Sequence, residues 1–263
     1  MKALPLLFHL RTARSYDREG SGAIVSRILV TGSADGLGRA AADALLSAGH
    51  EVVVHARNEE RAAGIQALVD RGADIVLGDF RERDAVRRIA AELNDAAPLD
   101  AVIHNAGVWS GPAVMPVNII APYLLTALLH GPRRHVYLSS SSHFQGRSAL
   151  DHVDWRGAEP GSYADSKLFV TTLAAAVARL RPGVLSNAVD PGWVPTRMGG
   201  PGAPDDLELG GFVWIRSDQA AASGAVHRKA EDHPRTGRTR VVRQRGEVPC
   251  RASRPRADPN EAP

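Results

Sequence analysis

Tyr163 and Lys167 stand four residues apart in the stretch Gly161-Ser162-Tyr163-Ala164-Asp165-Ser166-Lys167, and together they could perform acid/base chemistry. On a helix, positions i and i+4 are surface neighbours with Cβ atoms ~5–6 Å apart, so the ammonium can approach the phenol. Moving a phenol from a pKa of ~10 to ~7 takes about 4 kcal/mol. One cation at ~4 Å, with an effective dielectric near ~20, supplies a similar amount. Ser162 is placed as the N-cap and Asp165 at the capping-box position, which puts Tyr163 in the first turn, where the helix dipole favours an anion. A tyrosine and a lysine at this spacing are, taken alone, more often a plain surface pair. Composition argues otherwise here: the only lysines are Lys2, Lys167 and Lys229, arginine supplies almost every other cation, and Lys167 alone lies away from the chain ends. A flexible ammonium suits pKa tuning and hydrogen bonding to hydroxyl groups better than a planar guanidinium does.

A second constellation is Thr31-Gly32-Ser33-Ala34-Asp35-Gly36-Leu37-Gly38. It follows a buried-strand run at 28–31 and opens a helical pattern at 37–48, closed by Gly49. Glycines let backbone approach a pyrophosphate, and the free N–H groups of a helix N-terminus attract it. A glycine-rich turn without a ligand is the plainer alternative. At the end of the second strand, Ala56-Arg57 stands where an NAD site would carry an acid for the adenosine ribose. Arg57 favours the 2′-phosphate of NADP, whereas Asp35 in the turn opposes the extra charge.

To position these groups, strand and helix patterns alternate. Strands are expected at 51–55, 73–77, 99–104, 134–139 and 184–189, with a last edge strand at 224–227. Helices are expected at 58–71, 81–94, 118–129 and 162–180, with short ones at 205–209 and 212–217. This predicts an α/β fold, a single Rossmann-type doubly wound parallel sheet with helices on both faces. Residues 27–227 are expected to form the domain, 1–26 a flexible extension, and 228–263 an arginine- and proline-rich disordered tail.

The formal charge of +3 invites a nucleic-acid reading, but its distribution argues against one. Residues 228–263 carry ten basic and five acidic side chains and residues 1–26 four and two, leaving the middle at −4. The tail lacks interleaved aromatics, so non-specific, salt-sensitive binding is the most it predicts. The single cysteine, Cys250, excludes a disulfide framework and fits a reducing, cytoplasmic setting. The ten histidines, among them His104, His135, His143 and His152, show no metal-ligand spacing, so no metal is expected. No membrane-spanning stretch and no G-x-S-x-G elbow is present in the sequence.

From about residue 27 to 210 the chain resembles the short-chain dehydrogenase/reductase family, in its shorter-subunit branch and the retinol-dehydrogenase-like subgroup with its bacterial relatives. The motifs that carry the resemblance are the Gly32, Gly36, Gly38 spacing, Asn105-Ala106-Gly107, the serine run Ser139-Ser140-Ser141-Ser142-His143, Tyr163 with Lys167, and Asp190-Pro191-Gly192-Trp193-Val194-Pro195-Thr196. The resemblance implies hydride transfer between a nicotinamide and a carbonyl or alcohol, with NADP(H) preferred over NAD(H). Tyr163 would act as acid/base, Ser140 would hold the substrate oxygen with Ser139 as the competing serine, and Lys167 would bind the nicotinamide ribose and lower the tyrosine pKa. Asn118 would relay protons to the lysine. Gly32, Ser33, Asp35, Gly36, Leu37, Gly38 and Arg57 would line the phosphate end, and Asp79 with Phe80 the adenine. Asn105, Ala106, Gly107, Pro191, Gly192 and Thr196 would complete the cofactor site. The partners implied are a small-molecule substrate and a second copy in a homodimer. The interval from Asn105 to Asn118, thirteen residues, is roughly half of what the family places there, a loss of ~10 residues or ~15 Å of helix. This motivates a second reading, a catalytically impaired dinucleotide-binding or regulatory relative.

Overall fold

A computed structural model describes residues 25–205, 226–228 and 240–242. The expected extension before residue 25, most of the tail, and the short helices expected beyond Asp205 lie outside the described residues.

The first six strands are short runs rich in β-branched and aliphatic residues, buried almost throughout, as strands of a parallel sheet covered on both faces must be. The strands are β1 (Arg27–Val30), β2 (Glu51–Ala56), β3 (Asp74–Leu77), β4 (Ala101–His104), β5 (Arg134–Leu138), β6 (Leu185–Asp190), β7 (Val226–Arg228) and β8 (Arg240–Val242), in sheet order β3-β2-β1-β4-β5-β6-β7-β8. Neighbours from β3 through β7 pair in parallel, and β8 pairs antiparallel to β7. The strand expected at 224–227 is therefore not the sheet edge, and part of the tail expected to be disordered is a strand. The physical reason is local: Val241-Val242 is a β-branched pair in an otherwise polar tail, and the open edge of β7 offers it backbone partners.

Alternate residues of each strand go to opposite faces. Val30, Val54, Ile75 and Ile103 pack with α1 (Gly36–Ser47) and with Ile65 and Leu68. Leu29, Val53, Val76 and Val102 pack with α4 (Arg83–Asp95) and α5 (Ala121–Leu128), and Tyr137 and Ala188 with α6 (Tyr163–Leu180). The helix expected over 58–71 is interrupted at Gly64 and Ile65, giving α2 (Glu59–Ala63) and α3 (Gln66–Asp70). The pattern at 118–129 begins one turn earlier, at Val114, and passes through a π turn at Pro116–Ile120 into α5. Pro116 and Pro122 each remove a backbone donor there, which loosens the hydrogen-bond ladder. The topological switch lies between β1 and β4, whose carboxyl ends open a crevice, the usual binding position in such sheets.

Candidate active site

The turn after β1 is braced from below by side chains of other strands. Asn105 Nδ2 donates to the carbonyls of Thr31 (2.7 Å) and Gly32 (3.0 Å), while Thr31 Oγ1 accepts from the backbone N–H groups of Asn105 (2.9 Å) and Ala106 (3.0 Å). Gly32 has φ 66°, and a Cβ there would lie 2.8 Å from Ala106 Cα. A Cβ at Gly38 would collide with Asn105 Nδ2 and the Gly32 carbonyl, so only glycine lets helix and strand meet this closely. Ser33 is fully buried: its hydroxyl donates to the Val30 carbonyl and accepts from His55 N–H at 3.2 Å. Its side chain thus holds β1 to β2. Leu37 packs into the core.

Above this brace, the N-terminus of α1 is open. Asp35 occupies the N-cap position without a side-chain cap bond, and the first turn holds no acid. The Asp35 carboxylate is drawn aside, to Arg61 Nη2 at 2.5 Å and Arg197 Nε at 3.8 Å. An uncapped helix N-terminus, approached by glycine backbone and with its neighbouring acid neutralised, fits a dinucleotide phosphate. Arg57 is exposed beyond β2, with no hydrogen bond or ion pair among the described residues. The Asp79 carboxylate accepts from Arg81 Nε (2.9 Å) and Nη2 (2.6 Å). Burial raises the Asp79 carboxyl, but the Arg81 bonds and charge, with a smaller share from Arg57, hold it below its ordinary value. Phe80 is buried and stacks on His55 with centroids 4.0 Å apart.

The opposite end of the crevice carries the acid/base candidates. Ser162 caps α6, accepting from Asp165 N–H at 3.1 Å, so Tyr163 does open the helix. The capping box is not completed. The buried Asp165 carboxylate instead accepts from Arg147 N–H (2.8 Å) and meets His152 Nε2 (3.2 Å), tying the segment after β5 to the start of α6. Ser140 N-caps the 3-10 turn Ser141–Gln145, its hydroxyl accepting from Ser142 N–H at 3.2 Å, and lies near enough to the Tyr163 phenol to act on its charge. Ser139, the competing serine, is buried against Thr171 Oγ1 at 2.6 Å.

Lys167 is buried, its Nζ 5.3 Å from the Tyr163 ring centroid and donating to the Leu138 carbonyl at 2.7 Å. Burial pushes the Lys167 ammonium down to about 8, partly offset by the Asp190 carboxylate. Burial also pushes the Tyr163 phenol up to about 12; the Ser140 hydroxyl opposes the rise and Asp190 adds to it. The expected lowering of Tyr163 by Lys167 is thus not what the bare protein shows. The ammonium lies under the ring and bonds a carbonyl, not the hydroxyl, and desolvation of the phenol dominates.

Asn118 lies on the π turn, and its amide clamps Val108 on both backbone groups, accepting from N–H at 2.8 Å and donating to the carbonyl at 2.9 Å. It also donates to Ser166 Oγ on α6 at 3.0 Å. A Cβ at Gly107 would sit 3.5 Å from Asn118 Oδ1 and 3.9 Å from Lys167 Nζ, so both side chains border Gly107 despite the shortened connection. After β6, Pro191 is buried, Gly192 takes φ 81°, and the Thr196 methyl comes within 3.1 Å of a Cβ on Gly36. The Pro-Gly segment therefore lies over the glycine turn, and the phosphate end and the acid/base end share one crevice.

Three contributors escaped the sequence reading. His55 Nδ1 accepts from Gly32 N–H (3.0 Å) and Nε2 donates to the Gly78 carbonyl (2.8 Å); burial pushes its imidazole down to about 4, so it is neutral. Asp190 acts electrostatically on both Tyr163 and Lys167. Trp109 holds its indole 4.3 Å from the Tyr163 ring. Only Trp109 left a signal, a tryptophan two places after Gly107 in a chain that is 5% aromatic.

Comparison with known proteins places these features in a family context. The family described as short chain dehydrogenase matches residues 26–126. An uncharacterized oxidoreductase of Emericella nidulans is 40% identical over 196 residues, covering 69% of this chain and 75% of that protein. A short-chain dehydrogenase of Penicillium rubens is 37% identical over 206 residues, covering 73% and 80%. In fold, the chain is similar to Pseudomonas aeruginosa RhlG, solved as an active-site complex with NADP (TM-score 0.64, 22% identity, 77% of this chain and 94% of that one). It is likewise similar to the carbonyl reductase Sniffer of D. melanogaster (TM-score 0.64, 21% identity, 78% and 97%).

Proposed function

The chain belongs to the short-chain dehydrogenase family and is an oxidoreductase of that kind, and on that premise we propose that it is an NADP(H)-dependent reductase of small carbonyl compounds with Tyr163 as its proton donor. The observation that carries the reading is the buried Lys167 ammonium 5.3 Å from the Tyr163 ring centroid, with the Ser140 hydroxyl near enough to act on the phenol. A carbonyl oxygen bound by the Tyr163 and Ser140 hydroxyl groups would have two donors for its developing negative charge. In the crevice a reduced nicotinamide would supply the hydride, with its electron pair, for the carbonyl carbon.

With its phenol pushed up to about 12, Tyr163 holds its proton at neutral pH and is in the donor form that reduction requires. Ser140 orients the substrate oxygen. Lys167, buried beneath the phenol and across Gly107 from Asn118, would resupply the proton after each turnover through hydroxyl groups or water bridging it to the phenolate. The N-terminus of α1 and the Asn105-braced turn would hold the pyrophosphate, and Arg57 would pair with the 2′-phosphate. Arg61 and Arg197 support the same preference by neutralising Asp35.

The test is reduction of a panel of ketones and aldehydes by purified protein with NADPH, followed by absorbance, with Tyr163→Phe as the control. Turnover in the wild type, reduced about 10²-fold or more in the variant, is expected. Equal rates in both would sink the reading. Tight NADPH binding without turnover of any carbonyl would select a binding or regulatory role instead.

A further inference from the structure

The loops that leave β4, β5 and β6 border the reactive groups of α6, and each exposes one large aromatic side chain: Trp109 at 59%, Phe144 at 62% and Trp193 at 60%. Trp109 is the one in contact with the chemistry. Its ring centroid is 4.3 Å from that of Tyr163, at an interplanar angle of 42°. A contact this tilted covers only part of the indole and leaves the rest in solvent, at odds with the tendency of tryptophan to bury a large apolar area.

The root of Trp109 is fixed. Its chain neighbour Val108 is bonded on both N–H (2.8 Å) and carbonyl (2.9 Å) by the Asn118 amide. The same amide bonds Ser166 Oγ at 3.0 Å, on the helix that carries Tyr163 and Lys167. One side chain thus ties the position of the indole to that of the reactive phenol. Among the described residues, the helix and sheet faces are closed by clusters that do not include Trp109.

We infer that Trp109 is a wall of the substrate site that selects carbonyl compounds whose reacting carbon is attached directly to a flat aromatic ring. The inference rests on the carbonyl-reductase reading above and narrows it. With the carbonyl oxygen bonded to Tyr163 and Ser140, a ring on the adjacent carbon lies within one ring's breadth of the indole and can stack on it. A saturated ring of equal size carries axial hydrogens that hold it off the surface. Stacking of this kind adds about two- to tenfold beyond the gain from buried area.

The test is a matched pair, acetophenone and cyclohexyl methyl ketone, assayed with NADPH on wild type, Trp109→Leu and Trp109→Phe. Comparing the ratio of kcat/KM values between variants cancels the intrinsic reactivity of each ketone. The expected result is that Trp109→Leu lowers the aromatic-to-saturated ratio about tenfold, through KM, and Trp109→Phe restores most of it. A ratio unchanged in Trp109→Leu overturns the inference while leaving the reductase reading intact, as does a loss confined to NADPH affinity. If the wild type reduces neither ketone, the pair is titrated into the NADP⁺ complex and read by calorimetry. Selective loss of acetophenone binding in Trp109→Leu then upholds the wall even though the reductase reading has failed, and equal binding overturns both.

Discussion

The two ends of the crevice are built on opposite terms. At the phosphate end the polar groups are already paired: Thr31, Ser33, His55 and Asn105 direct their hydrogen bonds into the turn that follows β1. At the acid/base end, a lysine is buried against a carbonyl and a phenol is desolvated, so both titrate away from their ordinary values. One end is finished before a ligand arrives. The other holds its groups in states that a ligand's own charges and hydroxyls would relieve. Holding a shape requires satisfied bonds, whereas moving a proton requires groups that are not fully at ease.

The sharpest way to break this contrast is to strike each end in turn. Tyr163→Phe is expected to lower turnover by 10²-fold or more while leaving NADPH affinity and thermal stability close to wild type. Gly38→Ala should do the reverse, costing about 3 kcal/mol of stability in denaturant unfolding together with cofactor binding, since the added methyl collides with Asn105 and the Gly32 carbonyl. If Gly38→Ala were as stable as wild type, the pre-built character of the phosphate end would be refuted. Arg57→Ala tests the outer part of that end. The loss of a charge-assisted bond predicts NADPH affinity down about tenfold or more with NADH affinity little changed, read by fluorescence titration.

A further test concerns pH. Burial holds His55 and His135 near about 4 and His104 well below 6.5 in the folded chain. In the unfolded chain they return towards 6.5, so between about 6.5 and 4 the unfolded state binds more protons. Their contribution is present above pH 6.5 and is lost as the pH falls towards 4, by about 1.4 kcal/mol per pH unit for each imidazole. Melting curves at pH 7, 6 and 5 should show a falling Tm, and His55→Asn should flatten the fall. A flat profile in the wild type would mean that the brace at the phosphate end does not depend on a neutral imidazole.

Much of the architecture was legible because it follows local rules. Aliphatic runs bounded by glycine marked β1 through β6, and periodicity marked α1, α4 and α6 to within a few residues. The split at Gly64 and the π turn before α5 were not legible, because each depends on what the helix packs against. Asn118 illustrates the difference well. Its spacing from Asn105 pointed to a lost helix, yet the shortened connection still brings its amide to Val108 and Ser166, a placement only the tertiary fold could supply.

The sequence by itself determined the alternating sheet, the glycine turn that opens α1, and the one-face pairing of Tyr163 with Lys167, since each is set by residues within a few positions of one another. The tertiary structure alone decided the charge states at the acid/base end, the neutral histidine beneath the turn, and the indole beside the phenol. Those depend on burial and on partners tens of residues away, and desolvation is a property of the packed chain that no local spacing encodes.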